Sequence, residues 1–195
     1  NNNNNDQQNN YKELQNKNDE LNYSQAELLA YQLELKNVHQ EIDQKNKESR
    51  FQEALISAQQ QFSKNEADVY SQGNKILIRF KKIDFPSGKA TLPEKSKQLL
   101  NKVAQVAKQL NPQEVLVEGH TDSLGSVDVN NRVSLERAET VSRYLVDEGI
   151  PTSTLQSVGY GFKKPLASNK TKADRAQNRR VDIWITPTPE TNTTE

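Results

Sequence analysis

From Leu14 onward the apolar residues of the first sixty fall on a seven-residue repeat, Leu14, Leu21, Leu28, Leu35 and Ile42, with Tyr31 and Val38 at the three-residue offset in the middle heptads. A repeat of seven places them on one narrow stripe of an α-helix. The stripe breaks in the polar run Asp43 to Arg50 and resumes one residue out of phase as Phe51, Leu55, Ala58 and Phe62. Either a supercoil slips there or two helices meet at a bend. Residues 1–10, almost all asparagine and glutamine, are expected to be disordered, which leaves 11–66 as a helical, coiled-coil-like spacer. If straight, about 50 helical residues would span roughly 75 Å.

The period then changes to two. Ala67 to Gln72 and Lys75 to Phe80 flank Gly73-Asn74, the spacing of a two-residue hairpin. Leu92-Pro93-Glu94 opens a helix whose apolar face is Leu99, Val103, Val106 and Leu110, and Asn111-Pro112 stops it. Val115 to Glu118 reads as a buried strand. A second long helix, from about Val129, turns Ser134, Ala138, Val141 and Leu145 inward and ends at Gly149. A short strand at Leu155 to Tyr160, a helical turn near Thr171 to Gln177 and a last strand at Arg180 to Ile185 complete the pattern. The fold class is therefore α/β, a two-layer sandwich in which a mixed sheet carries two long helices on one face, preceded by an extended α-helical region. The domain should run from 67 to 187, with 188–195 a disordered tail.

Composition narrows the function. The chain has 195 residues, no cysteine, no methionine and two histidines, His39 and His120, which removes thiol chemistry and disulfides. No apolar run approaches the roughly 18 residues that cross a bilayer. A chain that opens on Asn1 without methionine is expected to be a processed product, its signal, lipid anchor or membrane helix removed upstream. The zero net charge conceals an imbalance, with residues 1–72 carrying 7 Lys/Arg against 12 Asp/Glu and residues 73–187 carrying 19 against 12. The basic half would favour an anionic partner, but its cations are scattered among acids and no nucleic-acid motif accompanies them, so nucleic acid is not the expected partner.

The chemistry concentrates in Gly119 to Ala138, GHTDSLGSVDVNNRVSLERA, between the third strand and the second long helix. Asn130, Ser134 and Arg137 share one helix face, and Arg137 leans back toward Asp122. A guanidinium and a carboxylate held together without full neutralisation form a receptor for a zwitterion, the first taking a carboxylate and the second an ammonium. Asp122 capping a turn, or pairing with Arg137 as a structural salt bridge, remains the alternative at this point. His120 has no second histidine or cysteine at ligand spacing and reads as structural, so neither a metal nor any cofactor is expected. Glu118 and Asp122 need not converge, and no hydrolase or phosphate-loop motif occurs, so no catalytic residue is assigned.

Several runs together carry a family resemblance: LVEGHTD at 116–122, Gly125, Asn130, SLERA at 134–138, the Gly149-Ile150 pair, VGYG at 158–161, Pro165 and NRRVDI at 178–183. Residues from about 73 to 186 resemble the OmpA-like C-terminal domain. The resemblance implies non-covalent binding of peptidoglycan through the diaminopimelate of its stem peptide, with no enzymatic activity. It also implies that Asp122 and Arg137 take the ammonium and carboxylate, and that Asn130 and Arg179 occupy secondary binding positions. Pro86 stands where relatives often have an aspartate after the phenylalanine, so no binding role is carried onto that loop, while Val133 for leucine is near neutral. Residues 51–92 are similar to a subgroup, often lipoproteins, with a helical region before the domain.

These resemblances imply a periplasmic protein of a Gram-negative envelope, anchored at the outer membrane through a segment missing from this chain and tied to the cell wall. Self-association or an envelope protein partner would act through the helix. Two rivals remain open: the wall-anchoring module of a flagellar-type or secretion-system stator, and an oligomeric helical scaffold without wall affinity.

Overall fold

The computed structural model describes residues 2–81, 83 and 92–188. The loop around Pro86 and nearly all of the tail, on which expectations were placed above, lie outside the described residues. The elements in chain order are α1 (Asn2–Gln61), β1 (Ala67–Gln72), β2 (Lys75–Phe80), α2 (Glu94–Leu110), β3 (Pro112–Gly119), α3 (Val127–Asp147), β4 (Leu155–Gly159), α4 (Lys172–Asn178) and β5 (Val181–Pro187), with one short 3-10 turn at Thr152–Thr154.

The long N-terminal helix is continuous across the point where the apolar stripe changes phase. It begins at Asn2, so residues 2–10 are helical where their composition suggested disorder; uncharged asparagine and glutamine weaken a helix without forbidding it. The chain divides into two compact units, Asn1–Ser49 and Arg50–Glu195. The globular unit thus begins some way before residue 67. The phase change has a packing cause: from Phe51 on, the helix serves a different surface, and Leu55, Ala58 and Phe62 belong to the same core cluster as the sheet. Phe62 meets Phe80 edge to face, their ring centroids 6.1 Å apart.

In the globular unit five strands form one open sheet in the order β1-β2-β5-β3-β4. The hairpin falls where the spacing placed it, with Gln72 opposite Lys75. Gly73 takes φ +58° and Asn74 does not, the sign pattern of a type II′ turn that suits the strand twist. β5 is antiparallel to both β2 and β3, while β3 and β4 run parallel with α3 as their crossover. The last strand therefore inserts between the second and third.

Ile76, Ile78, Val115, Val117, Ile183 and Ile185 alternate onto the core face, where α2 contributes Leu100, Val103 and Val106 and α3 contributes Ala138, Val141 and Leu145. Leu77, Arg79, Glu118, Asp182 and Trp184 point the other way. α2 ends at Asn111, which adopts the left-handed conformation at φ 45° and lets Pro112 start β3.

A candidate binding site at the exit of β3

Two glycines determine how the site is built. A Cβ on Gly119 would run into the backbone carbonyl of Ser134, and one on Gly159 would lie 2.7 Å from the Cα of Leu135 and from Ser134 Oγ. α3 thus rests on the backbones of β3 and β4 with no side-chain layer between them. Ser134, fully buried, fixes the contact: its hydroxyl donates to Asn131 O at 2.9 Å and accepts from Gly161 N at 2.9 Å. Thr121 N donates to Gly161 O at 2.9 Å, joining the loop after β3 to the loop after β4.

On this frame Asp122 is held almost out of solvent, at 7% exposure. Its Oδ1 accepts from Leu124 N at 2.9 Å, an Asx turn, and its Oδ2 accepts from Arg179 Nη1 at 2.7 Å. Asp122 is therefore both a turn-former and half of an ion pair, and the hydrogen-bonded partner is Arg179, 57 residues away, instead of the Arg137 weighed from sequence. Arg137, half-buried on α3, completes the group. Burial pushes its guanidinium below the ordinary arginine value, the Arg179 charge adds to that, and Asp122 opposes it. Among the described residues, two guanidiniums and one carboxylate come together here.

Asn130 is buried as well, but its Nδ2 donates to Leu124 O at 3.0 Å. Here it clamps the Ser123–Gly125 loop to the first turn of α3, where Ser126 caps the helix by accepting from Val129 N at 3.3 Å. Two further residues escaped the sequence reading. Asn178, wholly buried, accepts from Leu166 N at 2.7 Å and Ala167 N at 3.0 Å and donates to Ala167 O and Asn169 Oδ1, both at 2.9 Å. Asn169 Oδ1 also accepts from Ser123 N at 3.2 Å. These two amides tie the loop after β4 to the Asp122 loop and hold the chain immediately before Arg179. Asn178 stands in the NRRVDI run, but only its burial beside an irregular loop explains its part.

The opposite face of the sheet carries a separate polar cluster. Arg79 donates from Nε and Nη2 to the two oxygens of Asp182, both at 3.0 Å, and Arg180 Nε donates to Oδ2 at 3.1 Å. Trp184 Nε1 donates to Glu118 Oε2 at 3.0 Å. His120 lies between the acids, its Nε2 3.8 Å from each, and stacks on Tyr160 with ring centroids 5.5 Å apart; Lys164 Nζ sits 3.5 Å from the centroid of the Tyr160 ring. Burial raises the Glu118 carboxyl, and the His120 ring, the Trp184 indole and the Lys164 charge outweigh it, holding it below the ordinary value.

Glu118, His120 and Asp182 do converge, their ligand atoms within 4.8 Å of one another, a grouping that the sequence spacing did not suggest. Asp182 is already engaged by two arginines and Glu118 by an indole, so a cation would have to displace donors in place. The cluster fits a structural role behind the loop that presents Asp122.

The fold is an open mixed sheet with helices packed on its core face, a long helix ahead of it in the chain, and a cluster of charged side chains at the exit of an interior strand. Residues 84–179 match the OmpA family, and the globular part of the chain is an OmpA-like domain. The protein is related to lipoproteins such as Probable lipoprotein YiaD of Escherichia coli, to which it is 38% identical over 120 residues, 61% of this chain and 55% of YiaD. Peptidoglycan-binding protein ArfA of Mycobacterium tuberculosis is 39% identical over 103 residues, 53% of this chain and 32% of ArfA. The chain spans about half the length of YiaD and less of ArfA. Among solved structures, a MotB-like protein from Desulfovibrio vulgaris superposes with a TM-score of 0.64 at 21% identity, covering 74% of this chain and 96% of its own, which establishes a shared fold. The OmpA-like domain is a non-catalytic, structural one.

Proposed function

We propose that this protein binds peptidoglycan non-covalently and ties the envelope to the cell wall from the periplasm, anchored at the outer membrane. The ligand group is the diaminopimelate of the stem peptide. Its zwitterionic end suits the site: Arg137 receives the carboxylate in a two-bond fork, and Asp122 accepts from the ammonium. The observation that carries this reading is the buried Asp122, with each oxygen already accepting one hydrogen bond and a second lone pair left on each. Arg179 holds the carboxylate in place, and among the described residues the site keeps one more guanidinium than carboxylate to meet the ligand's carboxylate. Asn130 shapes the loop beside Asp122 through its bond to Leu124 O. The kinship with lipoproteins supports the outer-membrane anchor, and ArfA's description as peptidoglycan-binding supports the wall as ligand.

The test is co-sedimentation with purified diaminopimelate-type peptidoglycan. The chain should pellet with the wall, and Asp122→Ala and Arg137→Ala should each stay in the supernatant while retaining their circular dichroism. Undiminished pelleting of both folded variants would remove the site assignment.

A further inference from the structure

Along α1, residues 13–48 carry a second pattern beside the apolar stripe. With the Leu14 to Ile42 column at heptad position a, the three-residue offset is position d, held by Lys17, Ser24, Tyr31, Val38 and Lys45. Position g is then glutamate in six successive heptads: Glu13, Glu20, Glu27, Glu34, Glu41 and Glu48. Position e is uncharged in the same span, as Asn18, Gln25, Gln32, His39 and Asn46. The apolar column is not covered: Leu21, Leu28, Tyr31, Leu35 and Val38 are 45% to 61% exposed.

We propose that this seam is the interface of a parallel, in-register, two-stranded coiled coil with a second copy of the chain. Orientation follows from the charge columns. In a parallel pair, position g of one helix faces position e of the next heptad on the other, so each glutamate meets an amide or imidazole, such as Glu27 against Gln32 and Glu34 against His39 of the second copy. In an antiparallel pair, g faces g, and a continuous column of glutamates would oppose itself.

The middle of the helix carries the contact. Glu27 and Glu34 have no lysine or arginine three or four residues away, so nothing on their own helix competes for them there. Those heptads also have the apolar d residues Tyr31 and Val38. Toward the ends, position d is lysine, and the geometry already disposes of one of these charges: Lys17 Nζ lies 2.9 Å from Glu13 Oε1, drawn out of the seam by its own helix's g residue. Its stem can still cover the seam. The stripe is one full column and part of a second, narrower than bundles of three or four helices bury, and this selects two strands. The inference does not rest on wall binding.

The chain has no native cysteine, which makes the experiment clean. Sedimentation equilibrium of the full chain should give twice the 22.2 kDa mass of one copy, and the double variant Leu28→Asn/Leu35→Asn should fall to a single mass with its globular unit still folded. Under mild oxidation Leu21→Cys alone and Ile42→Cys alone should each form a disulfide-linked dimer. A single mass or a trimeric mass for the unmodified chain, a dimer that survives the double variant, or crosslinks that appear only when the two cysteine variants are mixed would each overturn the proposal.

Discussion

Arg179 Nη1 lies 2.7 Å from Asp122 Oδ2, a hydrogen-bonded ion pair whose two charges are both felt by Arg137. Arg179 is held at the end of α4, with its backbone N–H donating to Arg175 O at 3.1 Å, whereas Asp122 is held by the loop after β3. Two segments distant in sequence therefore meet through an ion pair and, beside it, the hydrogen bond from His120 N to Arg180 O at 3.0 Å.

The consequence for binding is a graded series. Asp122→Ala and Arg137→Ala each remove a charged hydrogen-bonding group facing the ligand and should weaken a soluble diaminopimelate-containing muropeptide by about 10- to 100-fold. Arg179→Ala should weaken it less, by about 5-fold, because Asp122 keeps its bond from Leu124 N. Isothermal titration of the three variants gives the order; an Arg179 effect larger than both others would reverse the roles assigned to them.

Gly119→Ala should destabilise the domain by about 2 kcal/mol or more, because the new methyl meets the Ser134 carbonyl and the helix must lift from the strand. Urea unfolding measures this. Gly73→Ala has free space around it and pays only for its positive φ, so its loss should be about 1 kcal/mol.

Removing residues 1–49 should leave the melting temperature of the globular unit nearly unchanged. Removing residues 1–66 should lower it sharply, since Leu55 and Phe62, 8% and 6% exposed, would leave the core at about 1.5–3 kcal/mol each. Thermal melts of the two truncated chains decide between a domain that starts near 50 and one that starts at 67.

Behind the site, Asp182→Asn leaves Arg79 and Arg180 without their shared carboxylate and should cost about 3–5 kcal/mol, as breaking a buried pair does. Chemical denaturation at neutral pH would show it.

Glu118 supplies a pH dependence with a defined sign. Its carboxyl lies below the ordinary value of 4.5 in the folded protein, so its contribution to stability is complete above that value and is lost as pH falls through the folded-state value. Glu118→Gln should be less stable than the parent chain at neutral pH, and the gap should close below pH 4.5. A gap that widens in acid would contradict the assignment.

Much of this was legible in the sequence because it is written in local periods. The hairpin at Gly73-Asn74, the apolar faces of α2 and α3 and the strand before GHTD need only periods of two and 3.6 and their stop signals. The same local character hid the rest. Phe51 to Phe62 showed a change of phase, but a helix cannot announce from its own sequence which surface it will meet. The Asp122–Arg179 pair and the Arg79–Asp182 bridge join residues brought together only when β5 inserts between β2 and β3, and the Asn178 clamp is made inside an irregular loop that carries no period to read. Arg137 is placed near Asp122 by the helix that follows the loop, and the two do feel each other's charge, but the local pattern could not show that Arg179 would supply the hydrogen bond. The glutamate column of α1 stands in the sequence too, but the charges beside the apolar stripe look mixed and unpatterned until the heptad is lettered from the leucines.

The direct seating of α3 on Gly119 and Gly159 has a bearing on how this site can change over time. A helix cushioned by side chains can be re-angled by swapping large residues for small, but one resting on bare backbone offers no such adjustment. New ligand preferences would have to arise by redecorating the rim loops around Asp122 and Asn169, with the platform beneath inherited unaltered.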